Sequence, residues 1–484
     1  MEIESIKKNR LKMKLKDNAM STNKDHKDET QIQIRFITKQ QQFAVPDYPL
    51  SVHSSIITDE LNTLVNELLR ESNDIQDQVE FDFLICSQFL RTSLIEHITD
   101  REISTEDVID VEYVEKYPSP EPKDCLIHDD WVSAVAVCGK WILTGSYDNM
   151  LHIWTLKGKH HLVIPGHVSP VRAVAWISLN DDNASFVSAS MDQTCMIWNW
   201  DITKNFVECI HICKGHRRSI EAVSINYDKT LMATGAWDNM LYIWSTSTHE
   251  DDNDGESASK RARSEYANKT KTPKCAMKGH KQAISGIVWS DKTEIITGSW
   301  DHTIKTWDTE LNGIKQEIYG DKCFFDIDYS PLSRVVIAGS ADQHVRLYDP
   351  RSTEGMIVKA RFTSHTQWVT SVRWSTIDEH LFISGGYDNI VKLWDTRSPK
   401  APLFDLLGHE DKVLSCDWSN PKLIMSGGAD NTLRIFKSNH SDTRNSAGCT
   451  NNDNSNGNDG DNSDGDNSDG DNSDDDNSDD DSDR

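Results

Sequence analysis

Six times in this 484-residue chain a histidine is followed 20–25 residues later by an aspartate, with a serine or threonine between them. The sets are His128/Thr144/Asp148, His167/Ser188/Asp192, His216/Thr234/Asp238, His280/Thr297/Asp301, His365/Ser384/Asp388 and His409/Ser426/Asp430. A hydroxyl, an imidazole and a carboxylate are the parts of a nucleophilic hydrolase, in which the imidazole takes the hydroxyl proton and the carboxylate holds the ring. An active site needs one such set, so six copies point to a repeated structural network. Other chemistry is poorly provided for. No glycine-rich phosphate loop or histidine-rich metal cluster is present, and the ten cysteines form no CxxC pair, Cys209 and Cys213 being the nearest two. The residues therefore predict a protein that is not an enzyme, with no cofactor, no metal of its own and no small-molecule substrate.

The spacing shows which elements must hold these side chains. Seven segments carry an aspartate followed six residues later by an aromatic: Asp148/Trp154, Asp192/Trp198, Asp238/Trp244, Asp301/Trp307, Asp342/Tyr348, Asp388/Trp394 and Asp430/Phe436. Successive histidines lie 39, 49, 64 and 44 residues apart where the gaps can be measured. This is the period of a four-stranded propeller blade, one supersecondary unit per repeat. The aspartate falls in the turn between the second and third strands and accepts from the histidine that precedes the first. The hydroxyl sits on the second strand, and the aromatic on the third covers the network. Buried polar networks stabilise only when every member is satisfied. The fifth repeat has Gly320–Asp321 in place of the histidine and Ala338 in place of the hydroxyl, so its network is expected to be dismantled and its blade held by packing alone. The last repeat turns polar after Phe436, and Cys125–Leu126–Ile127 before the first repeat is expected to supply its missing outer strand, removing an open edge.

In front of the ring lies a smaller unit. Ile32, Ile34 and Phe36 alternate with polar residues as in a strand; Phe43–Val52 is interrupted by Pro46 and Pro49; Leu61, Leu64, Val65, Leu68 and Leu69 recur at helical spacing behind Thr58. Phe81–Ile85 and Val108–Val114 complete the order strand, strand, helix, strand, strand, which matches a ubiquitin-like β-grasp. The fold class is therefore mainly β: a seven-bladed propeller behind a small α+β domain. The expected boundaries are a disordered extension at 1–30, the ubiquitin-like domain at 31–114, a proline-rich linker at 115–123, the propeller at 124–437 with a disordered insertion at 249–273, and a disordered acidic tail at 438–484.

The formal net charge is -27, of which fourteen Asp and one Arg in residues 451–484 contribute -13. A body that still carries -14 is a poor direct ligand for phosphate backbones, so nucleic acid is expected to be met through protein partners. The N-terminus lacks the apolar run of a signal peptide, and no stretch approaches the ~18 apolar residues of a membrane span. Lys260–Arg261–Ala262–Arg263 is a short basic patch, readable as a fragment of a nuclear-import signal or as a solvated surface.

The residue before each turn aspartate is aromatic in four repeats: Tyr147, Trp237, Trp300 and Tyr387. These turns share one rim of a propeller. Tryptophan and tyrosine dominate binding hot spots and cores alike, so a protein-binding rim and packing between blades both remain open here. Glu106, in Ser104–Thr105–Glu106–Asp107 before the last strand of the small unit, has no special status from its surroundings in the sequence.

The chain resembles a known family at both ends. QIRFITKQQQFAVPDYPL, FDFLICSQFLRTSL and ISTEDVIDVEYVEKYPSPEP are similar to a Notchless-like domain, and HDDWVSAV with GKWILTGSYDNMLHIW is similar to the first WD40 blade of the ribosome-biogenesis factors that work with Pescadillo and the block-of-proliferation protein. The resemblance implies a scaffold of pre-ribosomal particles in the nucleolus and nucleoplasm, its propeller against that of the block-of-proliferation protein, supporting maturation of the 28S and 5.8S rRNA. It also implies removal by the AAA ATPase midasin, which grasps the Notchless-like domain; there Glu106 matches the family glutamate that completes the coordination of a Mg²⁺ held by midasin. Two alternatives are a Notchless-type midasin adaptor, whose propeller is expected to have eight blades, and a WD40 substrate receptor of a ubiquitin ligase.

Overall fold

A computed structural model of the chain describes residues 31–73, 78–247, 270–351 and 358–438. The expected disorder at 1–30, the basic patch at 260–263, most of the 249–273 insertion and the tail from 439 lie outside the described residues.

The small domain is built on β1 (Gln31–Ile37), whose alternate residues Ile32, Ile34 and Phe36 are buried. β1 pairs antiparallel with β2 (Leu50–His53) and parallel with β5 (Ile109–Glu115); β5 pairs antiparallel with β3 (Phe81–Ile85), and β3 with the two-residue β4 (Gln88–Phe89). The order β2-β1-β5-β3-β4 around a central parallel pair is that of a β-grasp. Helix α1 (Thr58–Asn73) lays Leu61, Leu64, Val65, Leu68 and Leu69 into the same core as Phe36, Phe83 and Tyr113. The Tyr113 hydroxyl, its pKa pushed up to about 12 by burial, donates to the Phe43 carbonyl at 2.5 Å. Two elements were not expected: β4, and helix α2 (Leu94–Asp100), which buries Leu94, His97 and Ile98. The second strand is also shorter than the apolar stretch 43–52, since Gln41–Phe43 forms a 3-10 turn and the prolines keep the chain out of the sheet until Leu50.

Seven blades of four antiparallel strands follow, six of them built in chain order: 132–164, 171–214, 220–245 with 275–278, 284–319, 324–348 with 358–363, and 369–406. The seventh has three strands of its own (Val413–Asp417, Leu423–Gly428, Thr432–Lys437) and takes its outer strand from β6 (Glu121–Ile127), in register from Thr432↔Ile127 to Lys437↔Glu121. The linker expected at 115–123 is correspondingly shorter, because Glu121–Lys123 are already strand. Thr270–Lys271, expected within the disordered insertion, forms a fifth strand, parallel, on the edge of blade two.

Each blade packs its inner strands against the next. The small second-strand glycines permit this: a Cβ at Gly145 would come within 2.6 Å of Val171 on blade two, and one at Gly427 within 2.6 Å of Val132 on blade one. Val132 thereby shares a core with Leu126, Met425 and Leu433, and the ring is joined by packing as well as by β6. Tyr117, between the two domains, packs against the blade-six and blade-seven core, and its hydroxyl bonds Ser438. The Arg397 guanidinium lies 5.4 Å from the centre of the Phe89 ring. Ser438 and Arg397 both follow third strands, so these contacts lie at the end of the propeller away from the turn aspartates.

Candidate functional site

The histidine networks form at one end of every blade except two. In blades two, three, four and six the indole Nε1–H of Trp198, Trp244, Trp307 or Trp394 donates to Ser188, Thr234, Thr297 or Ser384 at 2.7–2.9 Å. The same oxygens lie 2.7–2.8 Å from Nε2 of His167, His216, His280 and His365, whose Nδ1 lies 2.8–3.0 Å from Asp192, Asp238, Asp301 and Asp388. A carboxylate only accepts, so Nδ1 carries the proton and Nε2 accepts from the hydroxyl. The aromatic thus donates into the chain as well as covering it. Blade seven keeps His409, Ser426 and Asp430 but ends in Phe436, which has nothing to donate. Burial works to raise the pKa of Asp192, yet the bonds from His167 and Thr194 outweigh it and hold the group down to about 2. In blades two, three, four and six the hydroxyl is spent between an indole and an imidazole, and in blade seven Ser426 donates to His409 alone.

Two blades depart from the expected pattern, and both through the residue four positions after the aspartate. In blade one His128 reaches Thr144 at 2.8 Å but not Asp148; instead His152 Nε2 lies 3.0 Å from Asp148, and His152 Nδ1 lies 3.3 Å from His160. The expected His128–Asp148 pairing is therefore corrected to His152–Asp148. Burial, with His152 beside it, pushes His128 down to about 4. In blade five the expectation of packing alone is overturned. Arg346 donates to both oxygens of Asp342, at 3.0 and 2.6 Å, and to the Ser340 hydroxyl at 2.9 Å; Ser340 and the His344 amide also donate to Asp342. A buried guanidinium from the third strand has replaced the missing histidine. The corresponding Lys305 and Lys392 point elsewhere, to Glu317 and Asp405 on their outer strands.

The residue before each turn aspartate donates its amide to the loop that enters the same blade, for example Tyr147 to Trp131, Trp237 to Ser219, Trp300 to Ala283 and Tyr387 to Trp368. All seven loops and turns are thus drawn to one face. There the half-buried aromatics make an unbroken arc: Trp237–Trp300 at 4.7 Å between ring centres, Trp300–Phe325 at 5.6 Å, Phe325–Trp368 at 5.5 Å and Trp368–Tyr387 at 5.5 Å. Tyr147 meets Trp131 at a tilt, 5.1 Å between ring centres, and accepts from Arg172, which pairs with Glu221, the acceptor of the Trp237 indole. The arc rims a funnel of about 740 Å³ at the mouth of the central channel. Phe325, Trp368 and Trp131 were missed in the sequence, since they lie in or beside first strands and carry no repeat signature.

Glu106 lies in an exposed bend between α2 and β5, its amide 3.3 Å from the Ser104 hydroxyl. Its carboxylate makes no ion pair among the described residues.

Known families match both parts of the chain. The NLE (NUC135) domain matches residues 32–98, and the WD domain, G-beta repeat, matches seven times, at 122–155, 158–199, 207–245, 271–308, 315–349, 357–395 and 400–437. Proteins described as "Ribosome biogenesis protein WDR12 homolog" are 56% identical over 413 residues in Aedes aegypti, 55% over 414 residues in Culex quinquefasciatus and 52% over 410 residues in Drosophila virilis. Each comparison covers 85% of this chain and 96% of the relative.

Proposed function

The chain belongs to the family of WDR12 ribosome biogenesis proteins, and from that premise we propose that it is a two-ended, non-catalytic scaffold for precursors of the large ribosomal subunit. The observation that carries the reading is identity above half along 96% of the relatives' length, domain order included. At one end the aromatic rim of Tyr147, Trp237, Trp300 and Tyr387 docks the propeller of the block-of-proliferation protein, with Pescadillo as the third member of the complex. At the other end the small domain presents Glu106 to midasin. A carboxylate is a hard oxygen ligand suited to an open position on Mg²⁺, and an unpaired one has no local bond to give up. The complex supports maturation of 28S and 5.8S rRNA in the nucleolus and nucleoplasm, with RNA contacted through partners because the chain itself carries -27.

Purification of the tagged chain from cells tests this. The expected result is recovery of Pescadillo, the block-of-proliferation protein and large-subunit precursors. Recovery of cullin subunits in their place would make the chain a ubiquitin-ligase receptor.

A further inference from the structure

We propose that the funnel face is electrically polarised, and that it takes a folded protein partner whose surface is acidic over blades three and four, apolar over the aromatic arc and basic over blades seven and one. This rests on the reading of that face as the docking rim and adds the chemistry and orientation of what docks there.

The polarity comes from the loops that enter the blades. Blade three is entered through Arg217 and Arg218 and blade four through Lys281, all exposed. Blade seven is entered through Glu410, Asp411 and Lys412, whose ammonium lies 5.0 Å from the centre of the Tyr387 ring, and blade one through Asp129 and Asp130, all exposed or half-buried. None of the two arginines, Lys281 and the four carboxylates has an ion pair among the described residues, and against the one charge of Lys412 the four carboxylates leave blades seven and one net negative. Between them, blade two offers Val168 and Ser169 and blade six Thr366 and Gln367, all uncharged, while in blade five Asp321, 3.8 Å from both Arg346 and Arg361, is offset by the adjacent exposed Lys322. On a seven-bladed ring the basic and acidic lobes stand nearly across from one another, with the arc from Trp237 to Tyr387 running from one to the other.

The arc supplies the apolar centre. Trp368 is 48% exposed and Trp131 39%, and Val168, at 82%, extends the apolar surface over blade two. Rigid aromatics flanked by charge of both signs are the anatomy of a protein interface, with a hot-spot centre and a polar rim that sets orientation. A nucleic acid would meet repulsion at blades seven and one, so phosphate recognition does not fit the whole face.

Charge at the rim of an interface acts mainly on the association rate, whereas buried anchors act on dissociation. The test uses the full chain on a sensor surface and the β-propeller of the block-of-proliferation protein as probe, at low and high salt. Three variants are compared: Arg217→Glu/Arg218→Glu, Asp129→Lys/Glu410→Lys, and Trp237→Ala/Trp300→Ala, each checked for an unchanged thermal midpoint. The charged residues bond the network aspartates only through main-chain amides, as Arg217 and Glu410 do, so the reversals leave the blades intact. Each reversal should slow association about 10-fold at low salt and much less at ~0.5 M salt. If the tryptophan variant loses binding while both reversals associate like wild type, the rim reading stands and the polarity is overturned. If one reversal slows association and the other speeds it, the partner carries a single sign and the polarity is again overturned. If all three bind like wild type, the rim reading falls and the polarity with it.

Discussion

Replacing Arg346 with methionine isolates the most unexpected element of the ring. Arg346 is 4% exposed and gives Asp342 two of the four hydrogen bonds its carboxylate accepts, the others coming from Ser340 and the His344 amide. Breaking a buried pair by removing one partner costs about 3–5 kcal/mol. The Asp342 side chain is 21% exposed, so water recovers part of that, and a loss of about 2–3 kcal/mol is the better figure. With an unfolding entropy of about 2.1 cal/mol/K per residue, each kcal/mol moves the midpoint of a propeller this size by about 1.5 °C, so the thermal transition should fall by about 3–5 °C. Adding Asp342→Asn removes the stranded charge and should restore most of the loss. The urea or thermal double-mutant cycle should then show coupling of about 1.5 kcal/mol or more. Lys305→Met, at the same place in blade four but holding a single bond to Glu317, whose side chain is 31% exposed, is the comparison and should cost less than Arg346→Met. A loss below about 0.5 kcal/mol for Arg346→Met would mean that blade five is held by packing alone and that the guanidinium is incidental.

Trp307→Phe keeps an aromatic cover but removes the donor to Thr297 and part of the buried ring, and should cost about 2 kcal/mol or more by equilibrium unfolding; a loss below about 1 kcal/mol would leave the indole bond without weight. Gly427→Ala places a methyl 2.6 Å from Val132 Cγ1 and 2.9 Å from its carbonyl oxygen, at the junction of blades seven and one, and should destabilise by about 1–3 kcal/mol; a neutral effect would show that the junction gives way freely. Acid should act through His128. Its folded pKa of about 4 lies below the unfolded value of about 6.5, so the unfolded chain binds the proton first. Stability is therefore whole above pH 6.5 and falls as pH drops towards 4, by up to about 3 kcal/mol. His128→Gln should flatten that part of the pH–stability curve, and an unchanged slope would place the titration elsewhere.

The ring was legible because its signature is periodic: the aspartate and the aromatic six residues later recur whatever else changes. Substitutes for the histidine were not, since His152 and Arg346 occupy a position that holds Met196, Tyr242, Lys305, Lys392 and Arg434 in the other blades. Reading that position against the missing histidine would have found Arg346. The closing strand was only half visible, because six of the seven residues of Glu121–Ile127 are exposed and Leu126 alone is buried. Helix α2 is two turns long, and its Leu94, Ile95 and Ile98 suit a helix or a short strand equally. The arc of rings depends on ring curvature, which places Phe325 beside Trp300 and Trp368; spacing along the chain carries no trace of it. Glu106 has no local peculiarity, and only its resemblance to a family position singles it out.

Release from pre-ribosomal particles puts the two-ended scaffold to its most direct trial. Particles carrying wild type or Glu106→Ala are isolated, supplied with midasin and ATP, and the chain remaining on the particle is followed over time. Wild type should leave and Glu106→Ala should stay, with Pescadillo and the block-of-proliferation protein still bound beside it. Equal release of the two proteins would contradict the assignment of the small domain as the handle by which the scaffold is removed.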